Sequence, residues 1–192
     1  MPPGYPVMTV TPPPPPVAPG GQRLAEFGER LAAYLIDLAL LTGVSFIVQI
    51  PFFIWFFTVF FDDFFSTVRT VNQQPYESAP LPDVTLFLTF FALAIGLFLV
   101  TLGLQYLYEV EMMFRSGQTL GKRIMKLRVI PLAVDATLTR GMAAKRFLVQ
   151  YVGGAIVPAL TYIDGFWQLW DKPYRQCLHD KFATTVVIKL DS

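Results

Sequence analysis

An aspartate, Asp37, sits inside an apolar run that extends from residue 31 to residue 61. The run is long enough to cross a bilayer, where a carboxylate is costly and is kept either to pair or to move charge. Arg30, two helical turns earlier, is the last charge before it. Any fold open to this chain has to supply that carboxylate with partners or with water.

The rest of the chain fits a membrane setting. Hydrophobic residues make up 54% and charged residues 15%, against about 25% charge in an ordinary soluble domain. The apolar residues are concentrated: 31–61 holds one charge, and 84–108 and 147–163 hold none. One cysteine, Cys177, leaves no internal disulfide and no cysteine-based metal cluster. A net charge of +1 without a basic, aromatic-interleaved stripe gives no sign of nucleic-acid binding.

Nine of the first twenty residues are Pro, and residues 1–22 contain neither Lys nor Arg nor an apolar core. They are therefore not a secretory signal, and they predict an extended, polyproline II-like disordered tail. A domain over residues 23–190 follows. As one helix, residues 31–61 would reach about 46 Å, beyond a hydrocarbon core of about 30 Å. Pro51 is the natural break. The expected first span is therefore about 29–50; an aromatic-rich segment, 52–61, then either continues it tilted or lies near the interface, and 62–83 is a loop. The second span is about 84–108.

Basic residues set the topology. The 62–83 loop has one basic and four acidic residues, whereas 109–146 has eight basic and three acidic. The positive-inside rule puts 109–146, and with it the N-terminus, in the cytoplasm. The third apolar segment, about 143–170, is interrupted by Gly153, Gly154 and Pro158. It either spans once or enters and returns as a re-entrant hairpin. Two strand-like stretches, 126–131 and 184–190, favour the hairpin, because pairing them needs both on one side. The expected fold class is an all-α membrane protein: two full transmembrane helices, the third apolar segment, a short cytoplasmic β element and the disordered tail.

On a helix, Arg30, Tyr34, Asp37, Thr42, Ser45 and Gln49 share one face about 140° wide, the mark of a surface turned to protein or a water-filled cavity. Candidate partners are Asp164 or Asp180 for Arg30, and Arg140 or Arg146 for Asp37. Two readings stay open: a buried ion-pair network that fixes packing, or a carboxylate on an ion path. Gly117, Gln118, Thr119, Gly121 and Lys122 lack the spacing of a phosphate loop, since Arg123 follows Lys122. They read as a turn and helix start at the membrane surface. His179 beside Asp180 makes neither a metal site nor a catalytic triad. No nucleophile–base constellation, cofactor motif or metal set is visible, so no enzyme is expected.

Three motifs in order resemble the RDD family, named for one arginine and two aspartates. They are Arg30 to Asp37 (RLAAYLID), Gly117 to Lys122 (GQTLGK) with Leu127-Arg128-Val129, and Gln176 to Asp180 (QCLHD) before Thr184. By this resemblance Arg30 and Asp37 are the family's arginine and first aspartate, and Asp180 or Asp164 is the second. Cys177, where a small or hydroxyl residue is common, and Asp135-Ala136, where Asp-Gly is common, depart from the pattern. The resemblance implies a multi-pass protein of the bacterial inner membrane. Ion or small-solute transport, including sodium–proton exchange, has been proposed for the family. The Pro-rich tail is also similar to actinobacterial proline-rich antigens, some of whose relatives accompany respiratory supercomplexes. Two functions follow as expectations: transport by a homo-oligomer with Asp37 at the ion, or a non-catalytic accessory subunit of a larger membrane complex. Besides such a complex, the lipid bilayer is the expected partner.

Overall fold

The structure is a computed structural model that describes residues 16–73 and 84–190. The run Pro12 to Pro15 and Pro75, Pro80 and Pro82 lie outside the described residues, and with them most of the expected tail and the end of the expected loop.

Helix α1 runs from Phe27 to Gln73 with Pro51 inside it. The break expected at Pro51 does not occur, and residues 62–73, expected as loop, are the last turns of the same helix. A proline removes one amide donor, here the one facing the Ile47 carbonyl. In apolar surroundings, ending the helix would strand several backbone groups instead, so the smaller loss is the one taken. Phenylalanines four apart reinforce this choice. Phe52, Phe56, Phe60 and Phe64 stack in sequence with centroids 6.3, 5.6 and 6.4 Å apart.

Helix α2 (Val84–Tyr106) lies antiparallel to α1, with Phe90 against Phe56 at one end and Tyr108 bonded to Asp37 at the other. It passes without interruption through a π-turn (Leu107–Glu111) into α3 (Met112–Ser116). Among the described residues two helices, Phe27–Arg69 and Phe87–Ser116, are long and apolar enough to cross a membrane. Between them Thr42, Ser45 and Gln49 face Thr101 and Gln105 across a cavity of about 280 Å³, so the polar face expected on α1 is met by polar groups of α2.

Beyond α3 come α4 (Leu120–Ile124), β1 (Leu127–Pro131) and α5 (Arg140–Phe147), the last capped by the Thr139 hydroxyl, which accepts from the Met142 amide at 3.2 Å. A second π-turn (Leu148–Val152) leads into α6 (Gly153–Ile156). Val157 then takes an extended conformation, as the residue before a proline does, and Pro158 opens α7 (Pro158–Trp167) as its first helical residue. Helix α7 folds back onto α6 and the second π-turn. A hairpin results, and α7 alone is too short to cross a hydrocarbon core. The crossing is tight: a Cβ on Gly154 would lie 2.3 Å from the Thr161 hydroxyl.

The chain ends with α8 (Leu178–Phe182) and β2 (Thr185–Lys189). Strands β1 and β2 pair antiparallel with Val129 opposite Val187, the pairing that the two β-branched stretches predicted. Arg23 and Ala25 extend the sheet on the other side of β2: the Lys189 amide donates to Arg23 O and the Ala25 amide to Val187 O, both at 2.9 Å. Residues 16–22, assigned from sequence to the tail, form a turn that buries Ala18 beside Leu24, Val186 and Ile188. Sheet, α3 to α5 and α8 make a polar cap on one end of the apolar helices. Its core is Leu127, Val129, Val110, Met113, Phe147 and Val187.

A Gly154→Val substitution is expected to lower stability by about 1–3 kcal/mol, because overpacking there must push α6 from α7. Thermal unfolding in detergent, compared with Gly165→Ala, where the added carbon meets nothing, measures it.

Candidate functional site

Asp180 has no exposed surface, and its carboxylate is shared by two arginines from distant parts of the chain. Arg30 Nη1, from the first turn of α1, donates to Oδ2 at 2.9 Å, and Arg146 Nη1, from α5, makes a short contact with Oδ1. Arg146 Nη1 also donates to the Thr185 hydroxyl at 2.6 Å, at the start of β2. Asp180 is the third residue of α8, and its Oδ2 accepts from the Cys177 amide at 3.1 Å, closing the first turn of that helix. One carboxylate thus ties α1, α5, α8 and β2 together. Burial by itself pushes this carboxyl up. The Arg146 guanidinium, the His179 ring, Arg30 and the Cys177 amide outweigh it and hold Asp180 well below the usual carboxylate range.

Asp164, on α7, is 2% exposed and binds the same helix α8. Its Oδ1 accepts from the His179 amide at 2.8 Å and its Oδ2 lies 2.6 Å from His179 Nδ1. A carboxylate only accepts, so Nδ1 carries the proton and Nε2 turns toward Asp180 Oδ1, 3.7 Å away. Cys177, His179 and Asp180 place their ligand atoms within 4.8 Å of one another. The surroundings oppose a metal ion there: Asp180 Oδ1 and Oδ2 already hold two guanidiniums. Burial, then the Asp180 charge, push the Cys177 thiol up to about 12, so it stays protonated in the metal-free protein.

Asp37 forms a second, separate centre. Its Oδ1 accepts from the Tyr108 hydroxyl at 2.5 Å and the Gly121 amide at 2.7 Å. Its Oδ2 accepts from the Thr119 hydroxyl at 2.5 Å, with Lys122 Nζ 3.8 Å away. The Tyr108 oxygen in turn accepts from the Leu120 amide at 3.1 Å. The first two amides of α4, which no helical carbonyl can satisfy, are therefore taken up by Tyr108 and Asp37. This explains Gly121: a Cβ would lie 2.2 Å from the Ala33 carbonyl and 2.9 Å from Asp37 Oδ1. Gly117 ends α3 in the left-handed region at φ 72, and Gln118 Nε2 donates to Leu127 O at 2.7 Å, linking the loop to β1. Gly117, Gln118, Thr119, Gly121 and Lys122 are thus a clasp that closes over α1.

Of the partners expected from sequence, Arg30 meets Asp180 and not Asp164. Asp37 meets neither Arg140 nor Arg146. Arg140 pairs with Glu111 at 2.9 Å, and Arg146 belongs to Asp180. The reason is geometric: α4 covers α1 around Ala33 and Asp37, whereas α5 packs against α8 and so brings Arg146 to Asp180. Sequence gave no sign of Glu109, which is buried in the first π-turn and accepts from Tyr151 of the second π-turn at 2.6 Å. Tyr108 and Glu109 close an apolar run, so they read as an interfacial boundary instead of an interior pair.

The family described as the RDD family has a model that matches residues 24–184. An uncharacterized protein of Rickettsia prowazekii is 24% identical over 179 residues, covering 85% of this chain and 95% of that protein. No solved structure matches.

Because the folded-state pKa of Asp180 is depressed, its stabilisation is fully present above the ordinary value of 3.8 and is lost as pH falls below it. The unfolding midpoint in detergent should therefore begin to drop as pH falls below about 4 and keep dropping until the depressed pKa of the folded state is passed. Asp180→Asn should start lower by about 3–5 kcal/mol, since two guanidiniums lose their counter-charge, and should show a shallower acid dependence.

Proposed function

This chain belongs to the RDD family, and from that premise we propose that it is a non-catalytic subunit that packs against another protein in the bacterial cytoplasmic membrane, its polar cap and N-terminus on the cytoplasmic side. The overreach of α1 supports this reading. The pairs Asp37–Tyr108 and Phe56–Phe90 fix the antiparallel register, so Val84, where α2 starts, stands opposite about residue 61 at 1.5 Å rise per residue. From that level α1 continues to Gln73, on the order of 18 Å further. Phe61, Phe64, Phe65 and Val68 are exposed there, with Phe61 stacked on Phe65 at 6.2 Å. Asp62 and Asp63 interrupt the same stretch and mark it as leaving the hydrocarbon layer. An aromatic ridge in that position has the composition of a contact surface. A photoreactive side chain placed at Phe64 in native membranes should give discrete adducts with a membrane protein, a second copy included. Adducts with lipid alone would sink the reading.

A second reading, transport of a proton or monovalent cation by an oligomer, is favoured by Glu109. Among the described residues this buried carboxylate is bonded by the Tyr151 hydroxyl and by no basic group. Asp37 suits that task less well, since Tyr108, Thr119 and Gly121 already occupy its oxygens. The reading expects Glu109→Gln to abolish pH- or Na⁺-driven flux in proteoliposomes, with Asp37→Asn acting mainly through stability. Flux that survives Glu109→Gln, or none in the wild type, rules it out.

A further inference from the structure

A cavity of about 300 Å³ opens between the first turns of α1, the second π-turn, α7 and α8. Its walls differ from end to end. Leu31, Tyr162 and Phe166 line it and are exposed, Tyr162 at 70%, so its apolar rim lies on the surface that faces lipid if α1 crosses a membrane. Arg30, Lys122 and Arg146 line it as well. The two arginine side chains are only 8% and 3% exposed.

Among the described residues, three buried side-chain polar atoms have no hydrogen-bond partner: Arg30 Nε, Arg146 Nε and Gln168 Oε1. All three belong to residues that line this one cavity. The two arginine Nε atoms are donors, and an orphaned buried donor costs about 1–3 kcal/mol and asks for an explanation, whereas Gln168 Oε1 is an acceptor and offers an anion nothing. Arg146 spends Nη1 on Asp180 and Thr185 and leaves its Nε–Nη2 edge unspent. That edge accepts a phosphate or carboxylate side-on through two parallel N–H···O bonds. The lining carries three cations against one carboxylate, Asp164, which is committed to His179. Asp180 and Asp37 stand behind the cations and hold them in place.

We propose that this cavity binds an anionic amphiphile: a phosphate or carboxylate head against Arg30, Arg146 and Lys122, and an acyl chain leaving past Leu31, Tyr162 and Phe166. The head could come from a membrane lipid or from a free anion; the apolar rim selects the lipid. Basic pockets beside membrane helices on the cytoplasmic side hold anionic headgroups for the same reason. The site is independent of the aromatic ridge on the far end of α1, so it stands or falls separately from docking.

The full chain, purified in neutral detergent, is mixed with phosphatidylglycerol, phosphatidylcholine or inorganic phosphate, and bound species are counted by native mass spectrometry. One phosphatidylglycerol per chain is expected, preferred about tenfold over phosphatidylcholine, as one charge-assisted pair provides. Gly165→Leu fills the cavity from a position where an added Cβ meets nothing, and Lys122→Gln removes a lining cation. Both should lose at least about tenfold in phosphatidylglycerol retention, with Gly165→Leu unfolding at the wild-type temperature. Equal binding of the two lipids would overturn the proposal. So would retention unchanged in a folded Gly165→Leu variant, or inorganic phosphate binding that phosphatidylglycerol does not displace.

Discussion

The shared carboxylate of Asp180 is the constraint on which the cap depends. Residues 30, 146 and 180 are far apart in sequence, so closing their loops carries a large entropic cost. Three ionised groups are also taken out of water, and only good geometry offsets that desolvation. The amide of Cys177 and the hydroxyl of Thr185 complete the shell. Once Asp180 is held, the rest of the cap is positioned. Helix α8 is capped, β2 starts beside Arg146, and the first turn of α1 is fixed against β2, where Arg30 Nη2 reaches the Val187 carbonyl at 3.5 Å.

Asp37 works one level further into α1 and on a different partner. It replaces missing helical acceptors for α4, a helix too short to be stable by itself. The two aspartates therefore share a logic: each supplies acceptors to a short helix that tertiary contacts alone keep formed. In both cases a backbone amide, at Cys177 and at Gly121, is part of the bonding. This makes packing a sufficient reason for each charge.

Much of this was legible in the residues. Asp37 stood out because charge inside an apolar run is rare, with Arg30 the last charge before it, and the strand pairing followed from two β-branched stretches that needed one side. The interruptions at Gly153, Gly154 and Pro158 marked the place where the third apolar segment turns back. Other features left no trace. Pro51 read as a stop because its local cost is visible, whereas the cost of stopping in apolar surroundings belongs to the neighbours. Which arginine meets which aspartate depends on α4 lying over α1 and α5 lying against α8, and neither packing is written in the sequence. The π-turns have no compositional mark at all, so Glu109 and Tyr151 could not be paired in advance.

Those two π-turns act as phase shifters. A π-turn slips one extra residue into a helix, which rotates everything beyond it by roughly a quarter of a turn relative to an unbroken α-helix. In α2–α3 the slip lets an all-round apolar rod present a chosen face to the cap. The insertion in α5–α6 does the same from the opposite direction. Since Glu109 and Tyr151 sit one in each slip, their hydrogen bond reports the relative winding of the two rods. Tightening either turn back to α-helical geometry would swing its half of the pair aside.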